Sequence, residues 1–311
     1  AIIVRTKSVS ALIYRIHRMQ SLTLSHGPIS YHHAGNGPPL LLIHGWGGSS
    51  RYWQKTVEHF SPMRSVYTLD LPGYGQSPPL EDAISMERFA EIIKEFADTL
   101  ELEHFDLNAH SFGSGIAIHL AARWPQSVRR LVLTCFSTFS NEFERRMVEQ
   151  MLSQMGLSIA MWQPWMSLWH PWMALWQSWL SLWQPPQVQG SVPSIYQTIA
   201  WRFFYRMPPD DELLRESLDD FLRMDQRMSL QSIIGALSPA VNLAMQQIAA
   251  PTLLVGARQD MVMPPTGIPV VARLIPDCRL QWIEYCGHIP RSEKPTEEHE
   301  LVQRFLVVDE T

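Results

Sequence analysis

Two rhythms run along the chain. A short continuous apolar run at 39–44 has the pattern of a strand buried on both faces of a parallel sheet, and further strand-like segments fall at 65–70, 105–110 and 128–134. Between them apolar residues recur every three or four positions, as at 52–60 and at 85–100, where Phe89, Ile92, Ile93 and Phe96 share one face of a helix. Two further strand-like segments, 21–24 and 29–33, come first. The run 105–110 passes through Ser111 into an amphipathic helical run ending at Trp124, with no loop between. This alternation stops near Phe139 and resumes at Pro251, with a strand at 251–256, a helix at 266–274, a strand at 279–285 and a closing helix at 296–306.

Alternation at such short spacing predicts an α/β fold, a mostly parallel central sheet with helices on both faces. Residues 140–250 lack any strand rhythm and read as helical, with a charged second half at 210–227. An insertion there sits over the carboxyl edge of the sheet as a lid. The expected organisation is an N-terminal extension at 1–18, a core made of 19–139 and 251–311, and a helical lid at 140–250.

A chain of 311 residues can bury a large core, and 46% apolar with 18% charged residues suits an ordered globular protein. The net charge of −5, from 25 basic and 30 acidic residues, argues against a nucleic-acid partner. Cys135, Cys278 and Cys286 are scattered with no CxxC spacing, so neither a disulfide framework nor a metal site is indicated. A reducing cytoplasm is the expected compartment. The first eighteen residues carry Arg5, Lys7, Arg15 and Arg18 and no acid, but their apolar runs are too short for a secretory segment or a membrane span. They read as an upstream extension ahead of Met19, on which nothing catalytic depends.

Candidate chemistry gathers at strand ends. Gly45-Trp46-Gly47-Gly48-Ser49-Ser50 follows the first buried strand and exposes backbone N–H groups where open α/β sheets bind ligands. It is not a phosphate loop, because neither GxGxxG nor Gly-Lys-Ser/Thr occurs. Asp70-Leu71-Pro72-Gly73-Tyr74-Gly75-Gln76-Ser77 forces a tight turn at the same edge, with Asp70 a turn-former. The stretch from Phe105 to Gly115 reads as a strand-to-helix elbow with Ser111 at its apex, a geometry that pushes Oγ out of the sheet and aims the next N–H at whatever Oγ attacks. The same residues also fit a helix N-terminus capped by a serine, so the elbow alone leaves both readings open.

His44-Gly45-Trp46-Gly47, Asp70-x-Pro72-Gly73-x-Gly75-x-Ser77, Ala109-His110-Ser111-Phe112-Gly113, Asp260 after a late strand and Gly287-His288-x-Pro290-x-x-Glu293-Lys294-Pro295 together resemble the α/β-hydrolase fold superfamily. They look most like its lidded serine hydrolases, which include carboxylesterases, lipases, carboxyl methyl esterases and carbon–carbon bond hydrolases. The resemblance runs from Met19 to the C-terminus apart from the lid, and its motifs fall in the order Ser, Asp, His that this fold uses. It implies Ser111 as nucleophile, His288 as general base and then acid, and Asp260 as the carboxylate that orients the imidazole. The backbone N–H groups of Trp46 and Phe112 are implied as the oxyanion hole, and no metal or organic cofactor is implied.

One departure is Ala109, where the family usually has glycine two residues before the nucleophile. Serine at 111 counts against epoxide hydrolases and dehalogenases, which use a carboxylate nucleophile in this fold. His110 is expected to be a packed or hydrogen-bonded neighbour, and the pair His32-His33 a strand or turn feature.

The lid holds the most unusual pattern. No charged residue occurs between Gln150 and Trp201, and Trp162, Trp165, Trp169, Trp172, Trp176, Trp179 and Trp183 recur at spacings alternating between three and four. Within 161–183 this is a heptad with tryptophan at both seam positions, interrupted by Pro164 and Pro171. Three readings stand: a tandem duplication in a tolerant loop, a hydrophobic gate for substrate, or a membrane- or lipid-interface-seeking surface. The functional expectation is a serine hydrolase of carboxylic esters with a sizeable apolar group, acting on a small-molecule ester substrate through an acyl-enzyme. Carbon–carbon hydrolysis of diketone-type substrates and a non-catalytic ligand- or lipid-surface-binding role are the alternatives. The sequence leaves the oligomeric state open.

Overall fold

A computed structural model describes residues 19–82, 84–138, 202–207, 211–236 and 238–307, together with Arg146 and Gln150. The extension at 1–18 and the tryptophan heptads at 161–183 lie outside the described residues. The strands are β1 (Gln20–Leu24), β2 (Gly27–Ala34), β3 (Pro39–Ile43), β4 (Ser65–Leu69), β5 (Phe105–His110), β6 (Val128–Thr134), β7 (Thr252–Ala257) and β8 (Cys278–Ile283). The helices are α1 (Gln54–Phe60), α2 (Met86–Thr99), α3 (Phe112–Arg123), α4 (Asp211–Arg223), α5 (Gln226–Ala236), α6 (Ala240–Met245), α7 (Ile268–Leu274), α8 (Pro290–Glu293) and α9 (Pro295–Val307).

The strands form one sheet in the order β1-β2-β4-β3-β5-β6-β7-β8. Only the pairings of β2 with β1 and with β4 are antiparallel, and every pairing from β4 to β8 is parallel. Successive side chains of a strand point to opposite faces, and β3 divides accordingly. Leu41 and Ile43 join one buried cluster with residues of α2, α3 and α7, whereas Leu40 and Leu42 join another with residues of α1 and α9. Burial on both faces is why β3 reads as a continuous apolar run.

Helix boundaries follow local chemistry. Ser85 caps α2 by accepting the Arg88 N–H at 3.2 Å. Pro295 opens α9, with Glu297 and Glu298 in the first turn where the helix dipole favours anions. Two expectations need correction. The last strand ends at Ile283, not 285, because Tyr285 takes a left-handed φ of 52° that turns the chain into the next loop. The helix after Ser111 is not amphipathic, since residues 112–121 are all buried. It is wedged between the sheet on one side and α2, α5 and α6 on the others, so no polar face is required. Among the described residues no helix is long and apolar enough to cross a membrane.

Candidate active site

Ser111 joins β5 to α3 with φ 52° and ψ −120°, backbone angles that cost a residue with a Cβ on the order of 1–3 kcal/mol. The surroundings enforce them. The Ser111 N–H donates to the Thr134 carbonyl of β6 at 2.9 Å, and the Ser111 carbonyl accepts the Ser114 N–H at 2.9 Å. A Cβ at Gly113 would lie 2.5 Å from the His44 carbonyl oxygen, so only glycine lets α3 start this close to β3. Gly45 packs closely from the other side, its would-be Cβ 3.3 Å from the Ser111 Cβ. Ala109, the departure from the family pattern, is fully buried in the strand register opposite Ile43 and Leu133.

Ser111, Asp260 and His288 converge from three strand ends. The Ser111 hydroxyl lies 2.9 Å from His288 Nε2, and His288 Nδ1 lies 2.7 Å from Asp260 Oδ2. The consistent tautomer has Nδ1–H donating to the carboxylate, which leaves Nε2 free to accept the serine proton. Asp260 is anchored through its other oxygen, which accepts the N–H groups of Val262 at 2.8 Å and Met263 at 2.9 Å. All three side chains are buried.

The residues expected to form an oxyanion hole lie one on each of the two segments that meet at this serine, Phe112 directly after it and Trp46 after Gly45, which packs against it. Phe112 is the first residue of α3, so its N–H belongs to the set a helix leaves without an intrahelical partner. Trp46 sits in a turn closed by the Gly48 N–H on the Gly45 carbonyl at 3.2 Å, with Gly47 at φ 72°. Its indole donates to the Ser229 carbonyl at 3.2 Å and packs edge-on against Phe221. Asp70 is a turn-former: it accepts the N–H groups of Ser50 at 2.7 Å and Gln76 at 2.8 Å, and a Cβ at Gly75 would strike it. His32 and His33 lie in β2, with His33 stacked on Tyr67.

Three further residues shape the site, one of them His110, the expected hydrogen-bonded neighbour. His110 donates from Nε2 to the His288 carbonyl at 2.7 Å, and burial, reinforced by the nearby Arg291 charge, holds it neutral by pushing its pKa well below the usual imidazole range. Asp220 of α4 accepts the Ser49 hydroxyl at 2.6 Å and pairs with Arg51, which also reaches Asp219 at 2.9 Å, so α4 grips the glycine-rich loop. Burial raises the Asp220 pKa against those bonds. Glu293 accepts three backbone N–H groups, from Gly287 at 2.8 Å, Tyr205 at 2.9 Å and Arg206 at 3.0 Å. The position of Glu293 inside a family motif was a signal, but its partners depend on where the lid returns.

His110, Cys135 and His288 bring candidate metal-ligating atoms within 4.8 Å of one another. Both nitrogens of His288 and Nε2 of His110 are already engaged, and burial pushes the Cys135 thiol well up, away from the thiolate a metal needs. The donor set therefore suits packing around the imidazole better than coordination.

The chain is similar to known proteins over most of its length. The model of the alpha/beta hydrolase fold matches residues 38–295. The pimeloyl-[acyl-carrier protein] methyl ester esterase of Nitrosomonas europaea is 27% identical over 266 residues, 82% of this chain and 90% of that protein. An (E)-2-((N-methylformamido)methylene)succinate hydrolase of Acinetobacter baylyi is 36% identical over 103 residues, which span 33% of this chain and only 39% of that protein. An esterase from Exiguobacterium antarcticum superposes with a TM-score of 0.74 at 17% identity, over 93% of this chain and 99% of that one.

Proposed function

The chain is an alpha/beta hydrolase, belonging to the alpha/beta hydrolase fold family whose model matches residues 38–295, and we propose that it is a serine esterase acting on carboxylic esters with a sizeable apolar group. The observation that carries this reading is the unbroken chain of hydrogen bonds from Ser111 Oγ through His288 to Asp260, built on a serine held in a strained elbow. A serine hydroxyl is a poor nucleophile unless a positioned base takes its proton. In the proposed first step Ser111 Oγ attacks the ester carbonyl carbon while its proton passes to His288 Nε2. The imidazolium that forms is balanced by Asp260, which keeps its own charge. The carbonyl oxygen, now an alkoxide, takes hydrogen bonds from the N–H groups of Phe112 and Trp46, each such donor worth on the order of 10²–10³ in rate. Collapse of the tetrahedral adduct breaks the ester C–O bond, and His288 returns the proton to the departing alcohol. A water then repeats the sequence on the acyl-enzyme, with His288 again the base.

Esters are favoured over the other bonds this fold cleaves by the methyl ester esterase relative that spans most of the chain. The apolar preference rests on the charge-free stretch from Gln150 to Trp201. A reducing compartment such as the cytoplasm belongs to the same reading, which the three free cysteines support. The test is a panel of p-nitrophenyl esters graded in acyl chain length, run beside one ring-cleavage diketone. Ester turnover that rises from acetate to medium or long chains is expected. Turnover of the diketone with none of the esters would overturn the reading.

A further inference from the structure

Glu293 occupies a motif position that the proposed chemistry leaves unused, yet no other described carboxylate gathers so many backbone donors beside the site. Its Oε1 takes the N–H of Gly287, the residue immediately before His288. Its Oε2 takes the N–H groups of Tyr205 and Arg206, in the segment 202–207 of the lid. The same lid segment bonds to the histidine itself, since the His288 N–H donates to the Phe203 carbonyl at 2.7 Å. Gly287 records how close the two backbones lie: a Cβ there would stand 2.6 Å from both the Phe203 oxygen and the Tyr205 nitrogen. The Phe203 ring completes the arrangement, 5.9 Å from the His288 imidazole.

From the core side Gln259 holds the start of this loop, its Oε1 accepting the Cys286 N–H and its own N–H donating to the Cys286 carbonyl, both at 3.0 Å. The chain leaves β8 at Ile283, passes Tyr285 in a left-handed conformation and re-enters helix only at Pro290. His288 therefore sits mid-loop. Its ring is set by Asp260, and its backbone is set by Phe203 from the lid and by His110, which donates to its carbonyl. We infer that Glu293 is a positioning residue that clamps the lid segment 202–207 to the loop of the general base, so that a correctly seated 202–207 is a condition for a correctly aimed His288. This inference rests on the esterase reading for the role of His288, but the clamp itself is independent of the bond cleaved.

A carboxylate is needed for this task. Both oxygens face donors, so a carboxamide must turn its NH₂ either toward Gly287 or toward Tyr205 and Arg206, setting N–H against N–H. Glu293→Gln thus breaks one side of the clamp at almost constant volume. Gly287→Ala tests the same junction without touching a polar group, by forcing a methyl between the two backbones.

The experiment uses the full chain and measures p-nitrophenyl acetate kinetics, backbone hydrogen exchange by mass spectrometry, and the far-downfield proton resonance of the imidazole N–H bonded to Asp260. Both variants should lower kcat on the order of 10²-fold, the scale of a misaimed catalytic group, with KM within about threefold of wild type. Exchange should quicken together in peptides covering 202–207 and 285–290, and the downfield resonance should broaden or move. Wild-type kcat in Glu293→Gln with that resonance unchanged would overturn the inference, as would a loss of activity that merely follows a fall in Tm. A wild-type protein that turns over no ester would overturn the esterase reading alone, because the exchange and resonance measurements still decide the clamp.

Discussion

The carboxyl edge of the sheet and the returning part of the lid meet at the same loops, yet they hold them by different means. On the sheet side, Ser111 is locked by strand register, by its bond to Thr134 and by Gly113, where no side chain fits. On the lid side the grip runs through separate polar anchors: Asp220 on Ser49 and Arg51, Ser229 on the Trp46 indole, and the Tyr205 and Arg206 amides on Glu293. The sheet-side constraints are continuous backbone and packing, which yield only with the fold. Lid-side anchors can each be cut alone. In the proposed mechanism the core therefore supplies the reacting groups, and the lid supplies the aim of the loops that carry them.

The sharpest division comes from removing a reacting group. Ser111→Ala should abolish turnover of every ester, short or long, while circular dichroism and Tm stay near wild type. Asp260→Asn should cost on the order of 10⁴ in kcat, if the effect of the corresponding protease carboxylate carries over. An Asp260→Asn enzyme that keeps most of its activity would mean that another group orients His288.

Cutting a lid anchor should do less, and do it unevenly. Asp220→Asn leaves the Ser49 contact but weakens the pairing with Arg51, so the glycine-rich loop loosens under Trp46. A fall in kcat/KM of roughly 10-fold is expected, the size of one lost charge-assisted hydrogen bond. The loss should be steeper for p-nitrophenyl decanoate than for the acetate. Equal losses on both esters would erase the distinction between reacting groups and aim.

Replacing Trp172, Trp176 and Trp179 together by alanine carries the comparison into the tryptophan heptads. Each indole carries on the order of 150–250 Å² of surface, and their removal should impair long-chain hydrolysis while sparing the acetate. No loss on either ester would favour a neutral duplication. Binding of the Ser111→Ala protein to liposomes would favour an interface-seeking surface.

The smallest effect belongs to the far side of the core. Burial, with help from His59 and Arg291, pushes the pKa of His299 down to about 3 from an ordinary 6.5. An unfolded chain takes up a proton there below about 6.5, whereas the folded chain does not until about 3. This histidine therefore subtracts stability progressively as pH falls between those values, on the order of 1 kcal/mol per pH unit at most. His299→Gln should flatten the dependence of unfolding free energy on pH across that window and leave kcat at neutral pH unchanged. An unaltered slope would show that His299 carries no part of it.

What is legible in the amino-acid sequence follows the same division. Strands such as β3 and β7 were legible because burial on both faces leaves continuous apolar runs, and the elbow was legible because Gly113 is a local necessity. The burial of α3 on every side was not, since α5 and α6 approach it from more than a hundred residues away. Asp220 lies 169 positions from Arg51 and Glu293 lies 88 from Tyr205, so their pairing depends on how the lid crosses the sheet. His110 could be expected to pack beside the site, but its bond to the His288 carbonyl is set by the path of another loop.

The proposed chemistry stands or falls with one atom, the Ser111 Oγ. Intact-mass spectrometry after exposure to a fluorophosphonate, followed by peptide mapping, should find a single adduct on Ser111 in the wild-type protein and none in Ser111→Ala. An unmodified wild-type protein, or an adduct on a different serine, would contradict the account and return the fold to a binding role.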